Sequence, residues 1–145
     1  MIKLAEAVGA ERNAGIIFFT DDPKMAGIAR KAGFDVFFEE LSVADFLEFY
    51  FKSVFVITTS FHGTAFSLNF KKNFYSIINP NASADDRVVS FLERFGLSRR
   101  GVLPGSDIDK LTADLSVDFS NADRLLAEER EKSLDFLKQA LGGEK

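Results

Sequence analysis

Chemistry in this chain has few places to reside. It contains one histidine and no cysteine, which excludes multi-histidine metal sites, thiol nucleophiles, disulfide frameworks and cysteine-ligated metals. The single imidazole, His62, stands in Thr58-Thr59-Ser60-Phe61-His62-Gly63-Thr64-Ala65-Phe66-Ser67, among hydroxyls and beside a glycine. This stretch follows a β-branched apolar run and reads as a turn opening into a helix. The first N–H groups of a helix have no partner inside it, and the helix dipole adds partial positive charge there. Phosphates and carboxylates bind such places. Gly63 would let a ligand approach the backbone closely. His62 could then donate to the anion or transfer a proton near neutral pH. The expectation is an anion site at Ser60, Gly63 and Thr64 with His62 as its titratable group. The same residues also fit a structural turn, with Ser60 as a helix cap, Thr64 as its neighbour and His62 bonded to a backbone carbonyl.

Arg87 is the second candidate. It follows a predicted strand and a polar loop, where a guanidinium can hold phosphate or carboxylate bidentately. The alternative is a surface arginine paired with Asp85 or Asp86. The basic pairs Lys71-Lys72 and Arg99-Arg100 read as solvated faces. Asp21-Asp22-Pro23 reads as a helix cap rather than a carboxylate dyad, and Glu39-Glu40 and the charges of 128–132 as exposed surface.

These candidates must be positioned by a fold, and the hydrophobic pattern outlines one. Ile16–Thr20, Phe34–Phe38, Val54–Thr58 and Phe74–Asn79 read as short buried strands. Helices intervene. One is capped by Asp22 with Pro23 in its first turn and stopped by Gly33; a second is capped by Ser42. A third opens near His62, and a fourth runs through Val88, Val89, Leu92 and Phe95 to Gly96. Asn81–Asp86 is a polar loop. Asn121 reads as the cap of a long helix carrying Leu125, Leu126, Glu129, Ser133, Phe136, Leu137 and Leu141, ended by Gly142-Gly143. Gly101–Asp118 reads as a connection wrapping back over the fold. Alternating strands and helices predict an α/β fold, a small Rossmann-like three-layer domain whose four strands form a mainly parallel sheet. Ligands in such folds bind at the carboxyl ends of strands, where the loop after Thr58 lies.

Composition bounds the answer further. The 145 residues carry a net charge of −4, which argues against nucleic acid as a partner. No apolar run approaches the roughly 20 residues of a membrane span. The first ten residues interleave Lys3 and Glu6 with apolar ones, unlike a signal peptide, so a cytoplasmic location is expected. One domain over residues 1–145 is the default. The 17 phenylalanines supply a dense core and suit a surface that meets another domain.

The run Ile57-Thr58-Thr59-Ser60-Phe61-His62-Gly63-Thr64-Ala65-Phe66-Ser67-Leu68 resembles the polysaccharide pyruvyl transferase family. The resemblance continues through Lys72-Asn73-Phe74-Tyr75-Ser76-Ile77 and Arg87-Val88-Val89-Ser90-Phe91-Leu92. It resumes at Phe95-Gly96-Leu97, Arg100 and Val102, and the tail with Asn121, Arg130, Ser133, Phe136 and Leu137 fits the family's closing helix. It covers nearly the whole chain as the family's carboxyl-terminal half. The resemblance implies the donor-binding domain of a two-domain, GT-B-like enzyme, with the amino-terminal half absent and little turnover by this chain alone. The implied reaction moves a group from phosphoenolpyruvate to a sugar or lipid-linked oligosaccharide, leaving a pyruvate ketal on a cell-surface polysaccharide or exopolysaccharide. His62 matches the family's acid or base, and Arg87 matches a basic residue that holds the donor's phosphate or carboxylate. No metal or cofactor is implied. The chain departs from the family's pattern at Thr59, where aspartate is common, and at Ser60, where some branches carry arginine.

Two other functions fit the residues. One is a nucleotide-sugar-binding glycosyltransferase-type domain, which calls for an acidic residue after a late strand to hold a ribose. The other is a non-catalytic module binding sugar or a protein partner, its phenylalanines facing a homo-oligomer or the missing domain.

Overall fold

Local capping chemistry sets where the helices begin and end. The Asp22 carboxylate accepts the Lys24 N–H at 2.8 Å, and Pro23, lacking an N–H of its own, opens that helix. Ser42 and Asp45 exchange side-chain and backbone hydrogen bonds in a capping box. Gly33 stops the preceding helix with a φ of 80° while the Phe34 N–H returns to the Ala29 carbonyl. Glycine adopts that left-handed turn without strain.

A computed structural model describes residues 1–38, 42–82 and 85–142 of the chain. Glu39-Glu40, Gly143 and part of the 81–86 loop lie outside the described residues. In chain order the elements are α1 (Ile2–Arg12), β1 (Ile17–Thr20), α2 (Pro23–Lys31), β2 (Asp35–Phe38), α3 (Val43–Lys52) and β3 (Val56–Thr58). Then follow α4 (Phe61–Asn69), β4 (Phe74–Ile77), α5 (Asp86–Arg94), a 3-10 turn (Ser98–Arg100), β5 (Gly101–Val102), α6 (Ile108–Thr112) and α7 (Ser120–Gly142).

The expected four strands are found, and a fifth with them. They do not form one ladder: among the described residues, β1 pairs with β2, and β3-β4-β5 form a separate sheet, every pairing parallel. Alternation along β3 and β4 sends side chains to opposite faces. Val56, Phe74 and Ile78 pack with Tyr50, Leu68, Val88, Leu92 and Phe95 of the helices on one face. Tyr75, Val102 and Ile57 pack with Leu4 and Val8 of α1 and Leu111 of α6 on the other. Helices on both faces of a parallel sheet make the α/β layering. Two helices span the sheets: α3 sets Phe46 and Phe49 against Phe19 of β1 and Tyr50 against α4. On the opposite face, α1 brings Gly9 against Ile16 and Leu4 and Val8 onto Tyr75.

Several expectations need correction. α1 was not anticipated, because alanines dilute its apolar stripe to Leu4 and Val8. Two-residue β5 is too short to show a period, and α6 sits inside the supposed connection. Asn121 lies within the first turn of α7. The Asp118 carboxylate instead accepts the Ser120 N–H at 2.9 Å and its hydroxyl at 2.6 Å, and those bonds hold its carboxyl below the usual range. Arg100 is not on a solvated face. It is 6% exposed, stacks over the Tyr75 ring, and bonds the carbonyls of Asp114 and Ser116 and the Asp114 carboxylate. Lys71 pairs with Asp123 of α7, and Lys72 donates to the carbonyls of Phe51 and Ser53 at the end of α3. In the second half of α7, Leu134, Phe136, Leu137 and Leu141 are exposed. Among the described residues no helix is long and apolar enough to cross a membrane.

Candidate functional site

Adjacent parallel strands β3 and β4 end at the same edge of the sheet, and each feeds a helix there. The first turns of α4 and α5 therefore open side by side, at the carboxyl edge where α/β folds take ligands. α4 starts with Ser60 as its cap, the Ser60 hydroxyl accepting the Gly63 N–H at a long 3.4 Å. The first intrahelical donor is Thr64, whose N–H reaches the Ser60 carbonyl at 3.0 Å. The N–H groups of Phe61 and His62 precede it and lie at the open helix end.

Small residues on the buried face of α4 seat this turn. Gly63, Thr64 and Ser67 are buried with Leu68, so the helix lies close against the sheet and α3. The Gly63 carbonyl accepts the Tyr50 hydroxyl at 3.1 Å and the Ser67 hydroxyl at 2.8 Å. Thr64 shares a 2.8 Å bond with the buried Ser76 of β4 and donates to the Ser60 carbonyl at 3.1 Å. Thr58 accepts the Ser60 N–H at 3.1 Å. Burial raises the Tyr50 pKa, partly offset by hydrogen bonds with Ser67 and Thr58. A β-carbon on Gly63 would stand 2.2 Å from Thr58 Oγ1 and 2.8 Å from the Tyr50 hydroxyl. Gly63 thus serves close helix packing, and the Thr64 hydroxyl faces inward to Ser76. Among the candidates, Ser60, His62 and Arg87 are the exposed ones.

His62 is open to solvent, with no hydrogen-bond partner among the described residues. Its ring meets the Phe61 ring edge-on, centroids 5.9 Å apart at 79°. Arg87 lies in the first turn of α5, and its guanidinium sits over the same Phe61 ring, 5.6 Å from the centroid. Neither Asp85 nor Asp86 forms an ion pair with it. Asp85 instead accepts the Asn79 N–H at 2.6 Å and closes the loop between β4 and α5. The structure thus brings His62 and Arg87 to one edge, 25 positions apart in sequence, with Phe61 between them. An acid–base group and a cation with no ion-pair partner among the described residues, beside two open helix ends, can bind an anion and move a proton to or from it.

Phe61, Ser67 and Ser76 were not singled out as site residues from sequence, and Thr64 was expected at the ligand rather than beneath the turn. Thr64 and Ser67, three apart on an otherwise apolar helix face, were a readable sign of the buried network; nothing local marked Tyr50. Among the described residues no cluster of three or more histidine, aspartate or glutamate side chains could hold a metal ion. A cavity of about 450 Å³ lined by Glu6, Asn13, Ile16 and Phe34 lies at the opposite edge, where β1 begins, and includes none of these candidates.

A family model described as Polysaccharide pyruvyl transferase matches residues 4–81. The matched stretch contains Ser60, His62, Gly63 and Thr64 and ends before Arg87. No curated protein and no solved structure matches the chain.

Proposed function

The chain belongs to the polysaccharide pyruvyl transferase family, and on that premise we propose that it binds the phosphoenolpyruvate donor at the α4–α5 edge. Arg87 and the open N–H groups of α4 hold the donor's phosphate or carboxylate. His62 is the acid or base. The observation that carries this reading is the pairing of an exposed imidazole with a guanidinium that has no ion-pair partner among the described residues, both against one ring. In the reaction a proton goes to the methylene carbon of the enol, and the adjacent carbon takes on oxocarbenium character. A sugar hydroxyl adds to that carbon and loses its proton, the C–O bond to phosphate then breaks with its electron pair leaving on phosphate, and a second hydroxyl of the same sugar adds to the resulting oxocarbenium carbon and loses its own proton as the ketal closes. A positioned acid and fixed positive charge are what this path requires. The acceptor is a polysaccharide sugar or its lipid-linked precursor, and its binding wall is formed by a second domain in a GT-B-like pairing.

The test is titration with phosphoenolpyruvate by calorimetry or NMR. Arg87→Ala should weaken binding about tenfold or more, the scale of a lost charge-assisted hydrogen bond, and His62→Ala should weaken it by less. Equal affinity in all three proteins rejects the assignment. Preferential saturation by a nucleotide-sugar would favour the glycosyltransferase-type function.

A further inference from the structure

We propose that Phe61 is the positioning residue of this site, holding the Arg87 guanidinium beside His62 without neutralising it; this rests on the donor-site reading above. Arg87 is exposed and long, and such a side chain is dispersed over many rotamers unless something fixes it. Ion pairing is the common way to fix an arginine, but among the described residues Arg87 has no carboxylate partner. Its contact is the Phe61 ring. That ring is itself held: it packs on the hydrophobic cluster of α4 and α5, edge-on to Phe91 at 5.4 Å and 77°. It also makes a T-shaped contact with the His62 ring.

The choice of an aromatic partner matters chemically. A carboxylate would order Arg87 but occupy its donors and cancel its charge. A ring face attracts the guanidinium through its quadrupole and leaves the N–H donors along the guanidinium edge available. Phe61 can therefore pre-orient a cation for an incoming anion, which reduces the ordering cost of binding. Because Phe61 is the first residue of α4 and Arg87 the second of α5, the ring also couples the two helix starts.

The experiment compares wild type, Phe61→Leu, Phe61→Tyr, Arg87→Ala and Phe61→Leu/Arg87→Ala. Phosphoenolpyruvate and inorganic phosphate are the probes, followed by the resonance of the only histidine. Phe61→Leu should weaken binding about two- to fivefold, the scale of an exposed cation–π contact. Phe61→Tyr, which keeps the ring, should bind as wild type. In the Arg87→Ala background, Phe61→Leu should add nothing. Phe61→Met replaces the leucine variant if that one does not fold. Wild-type affinity in Phe61→Leu, or an equal loss with and without Arg87, overturns the proposal. If wild type binds neither probe, the donor reading fails, and the Arg87 Nε–H resonance still decides the positioning claim. That resonance should be ring-current shifted and less mobile than that of Arg12, which is exposed and has no ion-pair partner among the described residues. Equal mobility in the two arginines overturns it.

Discussion

Replacing Gly63 by alanine sets two effects of opposite sign against each other. Alanine is favoured over glycine inside a helix by about 1 kcal/mol, so propensity alone makes Gly63→Ala stabilising. The added methyl, however, would stand 2.2 Å from Thr58 Oγ1, 2.9 Å from Thr58 Cβ and 2.8 Å from the Tyr50 hydroxyl. Neither neighbour can retreat freely, because Thr58 accepts the Ser60 N–H and Tyr50 donates to the Gly63 carbonyl. Overpacking of this kind costs about 1–3 kcal/mol, and displacement of the Tyr50 hydroxyl adds about 1 kcal/mol for its hydrogen bond. The net expectation is a destabilisation of about 1–3 kcal/mol. An unfolding entropy of about 2.1 cal/mol/K per residue makes each kcal/mol worth about 3 °C of Tm at this chain length. Urea and thermal denaturation of wild type, Gly63→Ala and Gly63→Ala/Thr58→Ala measure it, the double variant recovering part of the loss by removing Oγ1. A Gly63→Ala protein as stable as wild type or more so would refute the close seating of α4, and with it the placement of the His62 turn.

Two further perturbations follow from the same packing. Arg100→Met should cost about 2–3 kcal/mol, because the side chain is 7% exposed and its guanidinium holds two carbonyls and the Asp114 carboxylate; the Asp114 side chain, 38% exposed, limits the loss by taking up water. Amide exchange should show 107–118 opening first, and a variant with unchanged stability and exchange would contradict the anchoring. Burial raises the pKa of both Tyr50 and Tyr75 above 10.0, Arg100 opposing the rise at Tyr75. The folded state then binds more protons than the unfolded one above that pH, so stability is intact below about pH 10 and falls as pH rises through the folded-state pKa values. Denaturation midpoints between pH 8 and 11.5 should decline less steeply in Tyr50→Phe and Tyr75→Phe; parallel declines in all three proteins would count against the buried hydroxyls.

Much of the architecture is written in local residue order. Strand–helix alternation, the Asp22 and Ser42 caps and the Gly33 and Gly96 stops depend on neighbours within a few positions, and such short-range chemistry is legible without a fold. The Ser60–Thr64 turn was legible for the same reason, as was the presence of the only imidazole in it. Elements defined by distant partners were not. β5 exists because Gly101 and Val102 meet Ser76 and Ile77, and the burial of Arg100 depends on Tyr75 and Asp114. The division of the strands into two sheets is a matter of which edges meet, which no strand's own pattern records. Sequence alone therefore determined an α/β chain with a single histidine at a helix start. Tertiary structure alone decided that Thr64 turns inward, that Gly63 fits against Thr58 and Tyr50, and that Arg87 and His62 meet the same Phe61 ring, because those relations arise only when β3 and β4 lie side by side and bring two separate helix starts to one edge.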